Sequence, residues 1–388
     1  MKQLPRIDQA LRQAAEAGEV AGVIAAATVR GEPLYEGAFG RRDIGKPAAM
    51  TLDTVFWIAS MTKAITAAAA MQQVEAGKLA LDTPISDILP QLRSPQVFEG
   101  FDASGKAKLR PAKRAITLRH LLTHTAGFSY DIWHADLGKY MEQNGIPGII
   151  TCQDAALSTP LTFEPGERWD YGINIDWAGK AVEAVSGKRL DAYFQERIFA
   201  PLGMMDTGFV LRDDQRGRLA AMHARGADGK LEAIPFELPQ APEFFMGGGG
   251  LYGTAGDYLR FLDMILSGGT VEGEQILKRD TLREMTRNNI GNIAVETLKT
   301  AVPALSNDAN LFPGMAQNWG LSFCINTEQG PHGRSAGSLA WAGLGNTYFW
   351  ADPQRNVAGT IMTQSLPFAD AKVLDLFGKL ERGVYDAL

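Results

Sequence analysis

Apolar positions change period several times along the chain, and each change marks an element. Between about Ile7 and Ala17 they recur every three or four residues, the spacing of a helix with one buried face. From Val20 to Val29 and from Leu34 to Phe39 the pattern becomes strand-like, and the segment Arg30 to Pro33 between them predicts a hairpin. A second helix is expected from about Ser60 to Ala76, where Ala, Met, Gln and Glu dominate and Gly77 supplies the left-handed stop. Its run Ala67 to Ala70 has no polar face, so protein should surround it. The polar stretch Arg93 to Arg114, rich in Gly, Ser, Lys and Pro, predicts an exposed loop.

Thr117 to Gly127 reads as a short helix with Thr117 as cap and Gly127 as stop, and Ile175 to Ser186 as a longer one stopped by Gly187. The block Met246 to Asp257, with four consecutive glycines, precedes a helix over Tyr258 to Ser267. The tail predicts strands at Trp319–Asn326, Ser338–Trp341, Asn346–Ala351 and Val357–Met362, the last two joined by a turn at Asp352–Asn356. A closing helix follows over Ala369–Tyr385.

Composition narrows the class. With 388 residues, 45% apolar and 21% charged, the chain can bury a large core and is expected to form two lobes. A net charge of −6 without any Lys/Arg-rich run argues against nucleic acid as a partner. No apolar run is long enough to span a membrane, and Met1 to Ala10 lacks the apolar core of a secretory signal, so a cytoplasmic location is expected. Cys152 and Cys324 are too few for a disulfide framework or a metal site of their own.

Ser60 and Lys63 carry the strongest chemical signal. At the mouth of a helix, free backbone N–H groups and the positive end of the dipole favour a developing negative charge. Lys63 lies one turn on, where its amine can reach the Ser60 hydroxyl, and burial of that amine would lower its pKa as a base requires; which of Lys63 and Tyr171 takes the serine proton is open in the sequence. A Ser-x-x-Lys alone arises by chance about once or twice in a chain of this length. Tyr171 ends a turn-rich loop that starts at Phe163, and a phenol beside a lysine ammonium is expected to have a lowered pKa and to shuttle protons.

Other candidates fall away. His120 and His124 share the spacing of a zinc helix, but Leu121 stands where the glutamate base belongs and no third ligand is evident. The glycines from Gly247 to Gly250 lack the lysine of a phosphate loop, and close backbone packing near a site is their expected use. Ser335, in Gly333-Arg-Ser-Ala-Gly337, matches a nucleophile elbow. The residues after it look like strand instead of helix, and no histidine follows His332.

Ser60 to Lys63, the block Leu121 to Gly127, Tyr171, the block Pro201 to Gly208, the block Gly247 to Asp257 and Trp341-Ala-Gly343 occur in one order. In that order and across nearly the whole chain they resemble the serine β-lactamase and penicillin-binding-protein-like superfamily, and within it the family VIII carboxylesterases, cousins of class C β-lactamases. Two departures stand out. Trp341-Ala-Gly343 replaces the Lys-Thr-Gly of the β-lactamases, removing the cation for the drug's carboxylate. In the Tyr-x-Asn motif the Asn position falls on Ile173, with Asn174 one residue late.

The resemblance implies an α+β fold in one catalytic domain: an antiparallel sheet with helices in a lobe of residues 1–58 with 209–388, a mostly helical lobe of 59–208, and the site between. It implies that Ser60 attacks the carbonyl of a small neutral ester, that Lys63 and Tyr171 manage the proton, and that the backbone N–H groups of Ser60 and Leu344 bind the oxyanion. Trp341, Gly343, Tyr130 and Ile173 would line the pocket, with no cofactor, metal, nucleic acid or membrane involved. Hydrolysis of a carboxylic ester is the expected reaction. Acyl transfer to an alcohol or amine, weak β-lactam or amide hydrolysis, and a catalytically silent binding protein are the alternatives.

Overall fold

The computed structural model describes residues 2–388. Helix α1 (Pro5–Glu16) buries Ile7, Leu11 and Ala14, the face its periodicity marks. Strands β1 (Gly22–Val29) and β2 (Glu32–Gly40) form the hairpin. Arg30 (φ 53) and Gly31 (φ 78) turn it, a left-handed pair whose twist suits antiparallel strands. A short turn of 3₁₀ helix, Ala59–Met61, leads into α2 (Thr62–Glu75). The regular helix thus begins two residues after Ser60, and every residue from Thr62 to Gln73 is buried, as the alanine run requires.

The stretch expected to be an exposed loop contains instead the hairpin β3 (Gln96–Phe101) and β4 (Ala107–Pro111). Buried Val97 and Phe98 anchor it, and Asp102 Oδ1 closes its turn by accepting from the Ser104 and Lys106 N–H groups at 2.8 and 3.0 Å. The Gly, Ser and Lys residues that suggest a loop are the turn and the solvent face of these strands. Helix α3 (Leu118–Leu122) is capped by Thr117 but ends well before Gly127, because His124 takes a left-handed conformation (φ 57). Helix α4 (Asn174–Ser186) stops at Gly187 as expected. Helix α5 (Ala255–Leu266) starts three residues early, since Thr254 Oγ1 accepts from the Asp257 N–H at 3.2 Å and caps it.

The run Trp319–Asn326 is two strands, β5 (Gln317–Trp319) and β6 (Cys324–Asn326). Between them Ser322 has φ 70, and Gly320 N–H donates to Phe323 O at 2.8 Å; apolar Leu321 and Phe323 hide this turn from a hydrophobicity pattern. Then come β7 (Leu339–Gly343), β8 (Thr347–Asp352), β9 (Val357–Met362) and α6 (Ala371–Asp386).

One antiparallel sheet runs in the order β5-β6-β7-β8-β9-β1-β2, with Ile24 of β1 opposite Met362 of β9. Neighbouring side chains on a strand leave by opposite faces. On β8, Phe349 meets Tyr258 of α5, whereas Tyr348 and Trp350 meet Phe377 of α6. Helices therefore cover both faces, which is why the central strands read as unbroken apolar runs. The fold is α+β, and among the described residues no helix is long and apolar enough to cross a membrane.

Candidate active site

Ser60 is presented by a turn held from two sides. Ala59 before it has φ 44, a conformation that costs a residue with a side chain and persists only where its surroundings impose it. Ile58 N–H donates to Leu251 O at 3.0 Å. From the other side the end of β7 presses on the turn at Gly343, where a Cβ would overlap the Ile58 carbonyl and Thr347 Oγ1. Gly343 is thus less a pocket wall than a spacer that lets two backbones touch.

The glycine block lies along the start of α2 and accepts twice from it and once from Trp57, ahead of the Ser60 turn. Gly247 O takes a hydrogen bond from Thr66 Oγ1 (2.6 Å), Gly248 O from Lys63 Nζ (2.6 Å) and Gly249 O from Trp57 Nε1 (2.7 Å). Close backbone packing is indeed the use of this run.

Lys63 Nζ lies 3.1 Å from Ser60 Oγ and 3.1 Å from the Tyr130 hydroxyl. Lys63 is 1% exposed, and burial pulls its pKa well below the ordinary lysine range, with the charge of Asp176 opposing. Tyr130, expected to line the pocket, is a direct neighbour of the amine, and burial pushes its phenol up.

Tyr171 lies at the same centre, its ring centroid 4.6 Å from Lys63 Nζ, and its hydroxyl accepts from Trp341 Nε1 at 2.8 Å. The expected lowering of its pKa does not occur. Burial dominates and pushes the phenol up, with hydrogen bonding to Ser60 and to Trp341 pulling the other way. Trp341 also departs from the expectation of a passive wall: packed between Tyr171 and Trp319, it aims its one polar atom at Tyr171.

Other expected residues lie further out. Ile173 is buried at the position before α4 and offers no polar group. Asn174 Nδ2 donates to Phe128 O and His124 Nδ1, both at 3.0 Å, so it braces the floor of the site. His124, whose pKa burial pushes well down, is a neutral ring against Tyr171, and His120 Nδ1 accepts from the Thr117 N–H in the α3 cap. Leu344 follows β7 directly, on the turn to β8. Ser335 N–H donates to Asp352 Oδ2 at 2.9 Å in the loop before β7, far along the chain from any lysine partner. A surface cleft of about 680 Å³ between Leu89 and Trp177 is lined by none of Ser60, Lys63 and Tyr171.

Sequence reasoning passes over Asp176. It is 1% exposed in the first turn of α4, and burial raises its pKa while Lys63 lowers it. The available signal is an acid between Ile175 and Trp177, on a helix whose neighbouring positions are apolar.

A buried amine within hydrogen-bond distance of a serine on a strained turn, with a phenol beside both, is an arrangement in which the serine hydroxyl can be activated as a nucleophile. A family model described as Beta-lactamase matches residues 7–381. The chain belongs to the Beta-lactamase family. Similar proteins include monacolin J acid methylbutanoyltransferase of Aspergillus terreus, 32% identical over 98% of this chain and 95% of that one. Lovastatin esterase of Penicillium rubens is 30% identical over 98% of both. Among solved structures, unliganded simvastatin synthase of Aspergillus terreus superposes with a TM-score of 0.86, at 31% identity over 98% of this chain and 97% of that one. Relatives in this Beta-lactamase family thus include both acyltransferases and an esterase.

Proposed function

We propose that the chain is a serine acyltransferase that moves an acyl group from an ester donor, through an acyl-enzyme on Ser60, to an alcohol or amine, with water as a competing acceptor. The observation that carries it is the 3.1 Å contact between a buried Lys63 amine and Ser60 Oγ. It lies in a chain similar over nearly its full length to a methylbutanoyltransferase. This reading puts first the reaction that sequence alone ranks second.

Neutral Lys63 takes the Ser60 proton as Oγ attacks the donor carbonyl, and the N–H groups of Ser60 and Leu344 hold the resulting oxyanion. The phenol of Tyr171, kept protonated by burial and oriented by Trp341, passes a proton to the leaving group and takes one in turn from the Lys63 ammonium beside it, which returns Lys63 to its neutral form. The carbonyl re-forms as that group departs. In the second half the neutral Lys63 deprotonates the acceptor hydroxyl, which attacks the acyl carbon; Tyr171 donates its proton to Ser60 Oγ as that bond breaks and again recovers one from the Lys63 ammonium. Rings of Tyr130, Trp133, Tyr171 and Trp341 surround the centre, which supports an organic acceptor competing with water. Ester hydrolysis is the second reading, supported by the similarity to lovastatin esterase.

The test incubates purified protein with p-nitrophenyl butyrate, with and without an added primary alcohol, and quantifies p-nitrophenol, butyrate and the new ester. A new ester that accounts for most of the released acyl group supports transfer, and butyrate alone reduces the activity to hydrolysis. Ser60→Ala should abolish both products and Ser335→Ala neither. Equal loss in the two folded variants would remove Ser60 from the mechanism.

A further inference from the structure

Asp176 does not touch Ser60, yet two contacts tie it to the amine that does. Its Oδ1 accepts from the Gly248 N–H at 2.8 Å, and the carbonyl of that same glycine accepts from Lys63 Nζ at 2.6 Å. Gly248 thus bridges carboxylate and amine. The fit leaves no slack, since a Cβ on Gly248 would overlap the Asp176 carboxylate. The other oxygen, Oδ2, is buried without a hydrogen-bond partner among the described residues. A buried carboxylate left half-satisfied is costly, and its retention in the first turn of α4 needs a compensating charge. That turn, with its free N–H groups and dipole, favours an anion, and the cation available is Lys63.

We infer that Asp176 is a positioning residue for Lys63: it fixes the Gly248 carbonyl that orients the amine, and its charge sets how readily the amine gives up its proton. Lys63 is faced by Ser60 from the turn before α2, by Tyr130 and Tyr171 from two loops, by the Gly248 carbonyl and by Asp176 from α4. His124 is close enough to feel the Lys63 charge, and burial keeps it neutral. Cys152 and the two phenols are the remaining titratable groups that sense Asp176, and all three are pushed toward their protonated forms by burial. Among the described residues Asp176 is therefore the one carboxylate whose charge acts on Lys63.

The inference rests on Lys63 acting as the base in the proposed reaction, and its test separates the two. In Asp176→Asn the side chain keeps an acceptor for the Gly248 N–H and loses its charge. The pH at which Ser60 activity is half-maximal, read from kcat/KM or from labelling by a fluorophosphonate, should move down by about one unit or more, because the Lys63 ammonium no longer has an anion to stabilise it. A group with only a structural role would lower the plateau and leave this midpoint in place, and that result overturns the inference. The reciprocal measurement needs neither activity nor that variant to fold. The ¹³Cγ resonance of Asp176 should titrate at higher pH in Lys63→Met than in the unaltered protein. An unchanged midpoint there overturns the inference whether or not acyl transfer is the reaction.

Discussion

Replacing Trp341 by Phe removes one atom that matters, the Nε1 that donates to the Tyr171 hydroxyl at 2.8 Å, while leaving an aromatic ring against Tyr171 and Trp319. The size of the loss reports the charge on Tyr171. A hydrogen bond to a neutral phenol contributes about 0.5–1.5 kcal/mol, roughly a two- to twelve-fold change in rate, whereas one to a phenolate contributes about 1.5–3 kcal/mol, roughly twelve- to 160-fold. Burial pushes this phenol up and holds it protonated, so the smaller loss is expected. The assay is single-turnover acylation of Ser60 by p-nitrophenyl butyrate at a pH where Lys63 is neutral, with thermal melting as a check on the fold. A loss of a hundred-fold would mean that Tyr171 reacts as an anion and is itself the base. No loss at all would mean that the indole does not orient it.

Three further outcomes are expected. Because burial lowers the Lys63 pKa and the neutral amine is the active form, kcat/KM should rise with pH along one limb belonging to the coupled Lys63–Asp176 pair. Tyr171→Phe should lower the plateau without moving that limb, which a pH–rate series on both proteins checks. Gly343→Ala drives a methyl into the Ile58 carbonyl and displaces the turn that presents Ser60, so acylation should slow by about a hundred-fold with little change in melting temperature; an active Gly343→Ala protein would show that the turn yields. Nitrocefin turnover should fall far below ester turnover, since Trp341 offers a neutral indole where β-lactam recognition uses a cation; comparable efficiencies measured side by side would refute this.

Short-range features were the legible ones. Ser60 and Lys63 are a helical turn apart, Tyr171 stands at the end of a turn-rich loop, and the glycine block announces itself by composition. Helix stops at Gly77 and Gly187 follow from local backbone preference alone. Relations between distant segments were hidden. The Asp176 link to Lys63 passes through Gly248, and in a linear reading Asp176 is only an acid near a helix start. Trp341 looked like a wall because an indole is mostly apolar, and only the folded arrangement sets its N–H against Tyr171. The phenol's pKa went the wrong way because nearness to a lysine is visible in a motif and burial is not. The β3–β4 hairpin and the β5–β6 turn were missed because their turn and strand residues exchange the usual compositions.

The sheet order gives the site a timetable. Strand β9 lies between β8 and β1, so the β1–β2 hairpin joins the rest of the sheet only after synthesis has passed Met362. The turn carrying Ser60 draws its constraints from Leu251, far along the chain, and from Gly343, which arrives almost as late as β9. Such distant contacts repay their loop-closure cost only when all are made together. A growing chain therefore carries its serine for a long stretch of synthesis without the frame that holds its turn, and under the proposed reaction a chain interrupted before Gly343 would not form the acyl-enzyme.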